Sequence, residues 1–283
     1  SDTVWENRDP GYSPKGTNLY FLPGDLGRTK KVGLSVSSDP INPVKDIMGT
    51  QFTLRQQASQ DFDLILFRDR PSRLLWIETG EGRFDNNDAV DAVLPHVDET
   101  FDPVLLNGLD KVIGRQQISP FNINCNCVGV SIGDVVKRDQ LLTYFNNNSY
   151  KTIDLLYKSN LPTDNIKQPK DIIQTLRNHA IPDLLVTDRF YTSIFTLLQS
   201  DSCIFVYEDP TKWSLKNSKI RDLFDKLEIS EFVIRDLTTL FDVEYLSEHY
   251  ALWGKKVASL RERISSISVE EKERIINLMR QLQ

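Results

Sequence analysis

The sequence predicts an α/β protein whose second half is largely helical. Three observations support this prediction. Compact apolar runs typical of strands occur in the first half, and the clearest are residues 62–67, 73–79 and 127–132. Segments with helical spacing of apolar residues separate these runs. From residue 218 to the C-terminus, nearly the whole sequence has the period of a helix.

The composition changes along the chain in a way that predicts three regions. Residues 1–43 are rich in proline and glycine, and we expect an N-terminal arm with short strands, one of them at 31–36. Residues 44–133 are predicted to form the α/β core. Residues 134–283 are predicted to form a mostly helical domain with one or more strands.

The core is predicted to begin with a helix at 44–60 and a β-hairpin. The apolar runs 62–67 and 73–79 flank a short polar turn, Arg68-Asp69-Arg70-Pro71-Ser72, which is typical of a hairpin. The later elements of the core are a helix at 86–94, a helix at 104–113 between Pro103 and Gly114, and a strand at 127–132.

The second half is predicted to contain several helices and one further strand. The helices lie at 137–145, 150–159 and 169–179, and the strand lies at 202–208. Ser268-Val269-Glu270-Glu271 matches a capping box, which predicts that the last helix begins there.

The acidic residues are concentrated in one segment. The 283-residue chain has a formal net charge of −6, but residues 78–110 alone contain nine acids and one base, Arg83. The acids are Glu78, Glu81, Asp85, Asp88, Asp91, Asp98, Glu99, Asp102 and Asp110. This distribution excludes a uniformly basic protein that coats nucleic acid. A solvated acidic face and a surface for a protein partner are both compatible with it.

The sequence predicts an intracellular protein without a membrane span. No segment approaches the length of apolar sequence that a transmembrane helix requires, and the first residues do not resemble a secretory leader. The 3 cysteines are too few for a disulfide framework, which favours a reducing compartment such as the cytoplasm.

The predicted hairpin brings two carboxylates together. Asp63 lies near the start of its first strand and Glu78 near the end of its second, so both are expected at the open end. Mg²⁺ binds oxygen ligands and usually keeps several waters, so two carboxylates are enough to hold it. Such a metal can activate a water and stabilise charge on a phosphodiester.

This arrangement resembles the PD-(D/E)XK nuclease superfamily, which includes many type II restriction endonucleases. The resemblance covers residues 44–133 and implies a restriction-endonuclease-like mixed sheet. It implies that Asp63 and Glu78 are catalytic metal ligands for Mg²⁺, with Mn²⁺ as an alternative. It also implies hydrolysis of DNA by a protein that forms a homodimer to cut both strands.

Two positions depart from the pattern of the superfamily. Phe62 stands where proline is frequent, and Gly80 stands where a lysine orients or deprotonates the attacking water. Glu81 is the candidate for the role of that lysine. Loss of the lysine also marks inactive relatives that only bind. A metal-dependent endonuclease therefore stands beside an alternative, an inactive nuclease-like or unrelated α/β protein that acts through protein contacts on its acidic face.

Two groups of basic residues are candidates for contacts with nucleic acid. Arg68, Arg70 and Arg73 lie in and beside the polar turn. Lys151 and Lys158 lie in the predicted helices between 137 and 179, which suit a helix-turn-helix-like module. The competing interpretations are a solvated turn and an ordinary helical packing domain.

Overall fold

A computed structural model describes two compact units. One unit consists of Ser1–Pro103 with Val269–Gln283, and the other of Val104–Ser268. The described residues are 30, 32–36, 62–73, 97–107, 119–159, 161, 168–211 and 218–282. The predicted helices at 44–60 and 86–94 lie outside these residues.

The first unit contains a parallel sheet of three strands. These are β1 (Val32–Val36), β2 (Leu64–Phe67) and β3 (Val97–Glu99), in that spatial order. β1 and β3 both pair in parallel with β2, and Ile65 lies beside Gly33 on one edge and Val97 on the other. All four residues of β2 are buried, as expected for the central strand of a parallel sheet.

The predicted hairpin is wrong, because β2 pairs on both edges with parallel strands, β1 and β3. The polar turn is helical at residues 70–73 instead. The Asp69 carboxylate accepts the Ser72 N–H at 2.8 Å, and Pro71 suits a first helical turn. These local preferences start a helical turn where the hairpin required a reversal. Residues 74–79 lie outside the described part of the chain.

The second unit contains a parallel sheet of five strands. In sequence order they are β4 (Cys127–Ser131), β5 (Lys151–Asp154), β6 (Leu184–Thr187), β7 (Cys203–Tyr207) and β8 (Val233–Ile234). Their spatial order is β5-β4-β6-β7-β8, and every neighbouring pair is parallel. β4, β6 and β7 are buried along their whole length, so both faces of the sheet centre are covered.

Six α-helices lie within the described residues. They are α1 (Pro103–Asn107), α2 (Val135–Asn147), α3 (Ile172–His179), α4 (Phe190–Gln199), α5 (Lys219–Lys226) and α6 (Val243–Gln281), and 3-10 turns span Ser230–Phe232 and Leu237–Phe241. The side chains of Asp134, Asp171 and Ser218 cap the N-termini of α2, α3 and α5. Helices α2, α3, α4 and α5 each lie between two consecutive strands, which is the alternation of a doubly wound α/β fold.

The structure confirms the predicted α/β class. Its sheets are parallel, and about half of it is helical. It confirms the strands at 127–132 and 202–208 and the helices at 137–145 and 169–179. It places 127–132 in the second sheet, whereas 62–67 lies in the first, so the two strands predicted for one core belong to different sheets.

The predicted helix at 150–159 is wrong, because this segment contains strand β5 and a turn. β5 is the edge strand that pairs in parallel with β4, and the spacing of apolar residues within the segment gives no indication of this pairing. The helix-turn-helix-like module is wrong for the same reason, since a strand separates α2 from α3.

The last helix does not begin at the capping box. α6 has 39 residues and continues through Ser268, whose hydroxyl donates to the backbone oxygen of Leu106. Its buried residues in the second unit follow a spacing of four and three: Leu246, Tyr250, Trp253, Val257, Leu260 and Ile264. Among the residues that the structure describes, no helix is long and apolar enough to cross a membrane.

Candidate functional site

The second sheet reverses its strand order beside β4. The chain leaves β4 towards β5 on one side, whereas β6, β7 and β8 follow on the other side. In open α/β sheets, such a reversal opens a crevice at the carboxyl ends of the strands, and ligands bind there. The residues after Ser131, Thr187 and Tyr207 therefore form the candidate site, which we call the carboxyl edge.

Gly133 and the Asp188–Arg189 pair meet at this edge, after β4 and β6. The Gly133 N–H donates to the two Asp188 carboxylate oxygens at 3.0 and 3.1 Å. Arg189 Nε lies 3.2 Å from Asp188 Oδ1, and 53% of the Arg189 side chain is exposed. A Cβ on Gly133 would lie 2.2 Å from Arg189 Nη2, so the absence of a side chain allows the guanidinium to approach the backbone.

Lys137 and Asp209 form a second charged pair, after β4 and β7. Lys137 Nζ donates to Asp209 Oδ2 at 3.0 Å and lies 4.9 Å from the centroid of the Tyr207 ring. The hydrogen bond with Tyr207, followed by that with Asp209, raises the pKa of Lys137. Burial alone would raise the pKa of Asp209, but hydrogen bonds from Thr211 and Lys137 lower it to about 2. Both side chains are therefore charged at neutral pH.

Apolar groups and helix ends complete the edge. Val135 and Val136, in the first turn of α2, are 56% and 67% exposed. Arg189 is the N-cap residue of α4 and makes no side-chain hydrogen bond to the helix. The edge therefore combines two cations, two carboxylates and a small exposed apolar surface. Cations and helix N-termini bind anionic groups, and carboxylates accept hydrogen bonds from hydroxyls.

Asp154, at the end of β5, organises the turn that follows. Its carboxylate accepts the N–H groups of Leu156, Lys158 and Ser159 at 2.9, 2.6 and 2.6 Å. The buried guanidinium of Arg138 approaches it, with Nε 3.9 Å from Asp154 Oδ2. Since the carboxylate already occupies this group of backbone donors, we assign Asp154 a structural role.

The two lysines predicted to contact nucleic acid lie at opposite ends of β5. Lys151 begins the strand at its amino end, and Lys158 follows its carboxyl end. Both are exposed. The strand between them places them too far apart to act as one helical recognition surface.

Glu208 lies beside Asp209 but is buried in an ion-pair cluster. Its carboxylate accepts the Ser218 N–H, Arg221 Nε and Arg235 Nε, each at 2.8 Å. Burial raises its pKa, and these hydrogen bonds outweigh that effect and lower the pKa below its ordinary value. The cluster links the end of β7 to the start of α5 and to the residue after β8, so Glu208 supports the edge and does not face it.

The metal site predicted from the sequence is described only in part. Asp63 immediately precedes β2, and Lys30 Nζ lies 3.0 Å from Asp63 Oδ1. Glu78 and Glu81 lie outside the described residues. Within the described ranges, no group of three or more His, Cys, Asp or Glu side chains is arranged to hold a metal.

The arginines of the polar turn differ in exposure. Arg68 is buried, with Nη1 3.1 Å from Asp102 Oδ2 and Nε 3.6 Å from Asp69 Oδ2. Arg73 Nη1 lies 3.7 Å from Glu99 Oε1, and Arg70 is exposed. A contact with nucleic acid therefore remains a prediction for Arg70 and Arg73, whereas Arg68 is already bonded inside the protein.

Part of the acidic segment is neutralised by arginines of the first unit. Of its nine acids, the structure describes Asp98, Glu99 and Asp102. Asp98 pairs with Arg274, Glu99 with Arg73, and Asp102 with Arg68. Each of these carboxylates thus has a cationic partner, and the described part of the segment is not a bare acidic face.

The most informative residues of the carboxyl edge were not predicted. Residues 184–187 form a short apolar run after Pro182, and the sequence Asp188-Arg189 follows immediately. This apolar run was the signal available in the sequence. If it is recognised as a strand, the polar residues after it are expected at a binding edge, because such residues follow the carboxyl end of a buried parallel strand.

No protein-family model matches the chain, and the searches of curated proteins and of solved structures found no significant match.

Proposed function

We propose that the second unit binds a phosphate-bearing small molecule that also carries hydroxyl groups, such as a nucleotide or a sugar phosphate. The observation that supports this most strongly is the position of Lys137, Asp188, Arg189 and Asp209 at the reversal of strand order in the five-stranded sheet.

The charged groups suit the two parts of such a ligand. Arg189 is about half exposed and approaches the Gly133 backbone, so its guanidinium is available to pair with phosphate oxygens. Lys137 supplies a second cation, and its side chain is 31% exposed. Asp188 and Asp209 are acceptors for ligand hydroxyls, and the exposed Val135 and Val136 provide an apolar contact for a ring.

Ligand-dependent thermal stabilisation tests this function. We expect ADP, UDP, ribose 5-phosphate or pyrophosphate to raise the melting temperature, and adenosine to have no effect, because only the former carry the phosphate. Lys137→Met and Arg189→Met are expected to weaken binding of the stabilising compound by about tenfold each, the usual cost of losing a charge-assisted hydrogen bond.

Lys151→Met is the matched control, since Lys151 is exposed at the opposite end of the same sheet. It is expected to bind as the unsubstituted protein does. Failure of all four phosphate compounds to stabilise the protein, or equal losses in the Lys151 and Lys137 variants, would contradict the proposal.

A metal-dependent DNA endonuclease is a second candidate. One observation favours it: Lys30 lies against Asp63, the first acid of the pattern, although the lysine expected after Glu78 is replaced by Gly80. A lysine beside the metal-binding acid supplies a cation for the water or the phosphate. On this proposal Asp63 and Glu78 bind Mg²⁺ or Mn²⁺, and Arg70 and Arg73 contact the DNA backbone.

Incubation with plasmid DNA in Mg²⁺ or Mn²⁺ tests the nuclease candidate. Asp63→Ala and Glu78→Ala are expected to abolish cleavage, and Lys30→Met to reduce it. Lys170→Met, at another exposed position, is the control. Equal cleavage by the protein and both alanine variants would show that a contaminant is responsible and would reject this assignment.

A further inference from the structure

The second unit has a cavity of about 850 Å³ at the opposite end of its sheet from the carboxyl edge. It lies between the segment that leads into β4, Tyr150 before β5, and the first turns of α6. Its volume falls within the range of about 300–1,000 Å³ that is usual for small-molecule sites. All of its lining residues belong to one unit.

Aromatic rings form much of the wall, and other contacts hold them in place. The rings of Phe121 and Tyr250 are 5.0 Å apart, and the Tyr250 hydroxyl donates to the Asn122 backbone oxygen at 2.6 Å. Tyr150 packs edge to face against Phe145 at 5.5 Å. A Cβ on Gly254 would lie 2.7 Å from Phe121 Cε1, so this glycine allows the Phe121 ring to lie against α6. The cavity is therefore preformed.

The lining has an apolar opening and a single cation. Ile123 is 83% exposed and places a large apolar side chain at the rim of the cavity. Among the described lining residues, Lys255 has the one charged side chain, and it is exposed. Burial, followed by the charges of Asp183 and Cys127, raises the pKa of Cys125 to about 12, so this thiol is neutral at physiological pH.

From these features we propose that the cavity binds an aromatic ring compound that carries a carboxylate or sulfonate. The ring packs on Phe121, Tyr150 and Tyr250 and extends over Ile123, and the anionic group pairs with Lys255. Asn124 and Asn126 supply amide groups for further polar contacts. This site is independent of the carboxyl edge and does not rest on the function proposed for it.

Two fluorescent probes that differ in charge test the proposal on the 283-residue chain. 1-Anilinonaphthalene-8-sulfonate carries the anion, and N-phenyl-1-naphthylamine has the same rings without it. We expect both to bind with a stoichiometry of one. Lys255→Met is expected to weaken binding of the sulfonate by about threefold, as for an exposed ion pair, and to leave binding of the amine unchanged.

Ala251→Trp fills the cavity from an exposed position on α6 and is expected to abolish binding of both probes. Ile123→Ser removes the apolar rim and is expected to weaken both, and it keeps the test valid if the tryptophan variant does not fold. Lys170→Met is the charge control and is expected to change neither. Unchanged binding of both probes in the folded Ala251 and Ile123 variants would overturn the proposal, as would equal effects of the Lys255 and Lys170 substitutions on the sulfonate.

Discussion

Glu208 is a buried carboxylate on which the structure beneath the carboxyl edge depends. Its substitution by glutamine keeps the shape of the side chain but leaves Arg221 and Arg235 without their counter-charge. Because Arg235 is about half exposed, water can hydrate its guanidinium in the variant. The loss of stability is therefore smaller than for a fully buried pair. We expect Glu208→Gln to lower the free energy of unfolding by about 2 kcal/mol at pH 7, measured by urea denaturation.

The same substitution has a defined pH dependence. The hydrogen bonds lower the folded-state pKa of Glu208 below its ordinary value of 4.5. The stabilisation is therefore fully present above pH 4.5 and is lost as the pH falls through the folded-state pKa. The difference in unfolding free energy between the unsubstituted protein and the Glu208→Gln variant should therefore decrease as the pH falls below about 5, where carboxylates titrate. A difference that stays constant over this range would contradict the assigned ion-pair cluster.

Two glycines provide a matched pair of substitutions. A Cβ on Gly129, within buried β4, would lie 2.7 and 3.0 Å from the Cγ and Cβ atoms of the Pro182 ring. The three atoms nearest to a Cβ on Gly133 belong to the end of the exposed Arg189 side chain and to the Asp188 carboxylate. We expect Gly129→Ala to destabilise the protein by about 2 kcal/mol and Gly133→Ala by less than about 0.5 kcal/mol.

Chemical denaturation of both glycine variants measures this contrast. Gly133→Ala is also expected to weaken binding of the phosphate compound, since Arg189 must move away from the backbone. Equal destabilisation by the two substitutions would show that Arg189 is held more firmly than its exposure indicates.

At the scale of elements, the structure differs from the sequence prediction in the continuity of α6. Val269 would be the first residue of a helix that began at the capping box, and proline is well tolerated there. In the structure Val269 lies inside α6 and is 58% exposed, so proline removes a helical hydrogen bond without disturbing a core. We expect Val269→Pro to cost about 3 kcal/mol of unfolding free energy and Val269→Ala to change it by less than about 0.5 kcal/mol. A neutral proline variant would favour a break at Ser268.

The elements that the sequence predicted correctly are those whose own pattern decides their structure. The strand at 127–132 is a compact apolar run, and Asp134 caps the helix at 137–145. The sequence analysis did not predict β5, because its strand conformation depends on pairing with β4 and not on a pattern within the segment itself. The hairpin prediction was wrong because β2 pairs with β1 and β3, each of which lies more than a dozen residues away along the chain.

The candidate site follows the same division. The carboxyl edge depends on the order of strands in the sheet, and Gly133, Asp188 and Asp209 come together only once β4, β6 and β7 are neighbours. Their separation along the chain hides this relationship from sequence patterns. Only the polar character of the short segment after residue 187 could have been predicted from the sequence.

At the scale of the whole molecule, charge is compensated locally. The net charge of −6 and the acidic segment suggest a repulsive field for any phosphate. In the described part of that segment, however, Asp98, Glu99 and Asp102 each pair with an arginine of the first unit. In the second unit, Lys137 and Arg189 are balanced by single carboxylates and are partly exposed. A phosphate-bearing ligand is therefore compatible with a protein that is acidic overall.

Backbone amide chemical shifts during titration with ADP test the central claim most directly. Binding at the carboxyl edge should perturb the amides of Gly133, Lys137 and Arg189, which surround the reversal of strand order. The amides of His179 and Glu228, which precede the amino ends of β6 and β8 and do not line the cavity of the second unit, should remain unchanged and serve as internal controls. Saturable shifts at the first group alone are the predicted result. Shifts confined to the amino ends of the strands, or no shifts at millimolar ADP, would contradict the account.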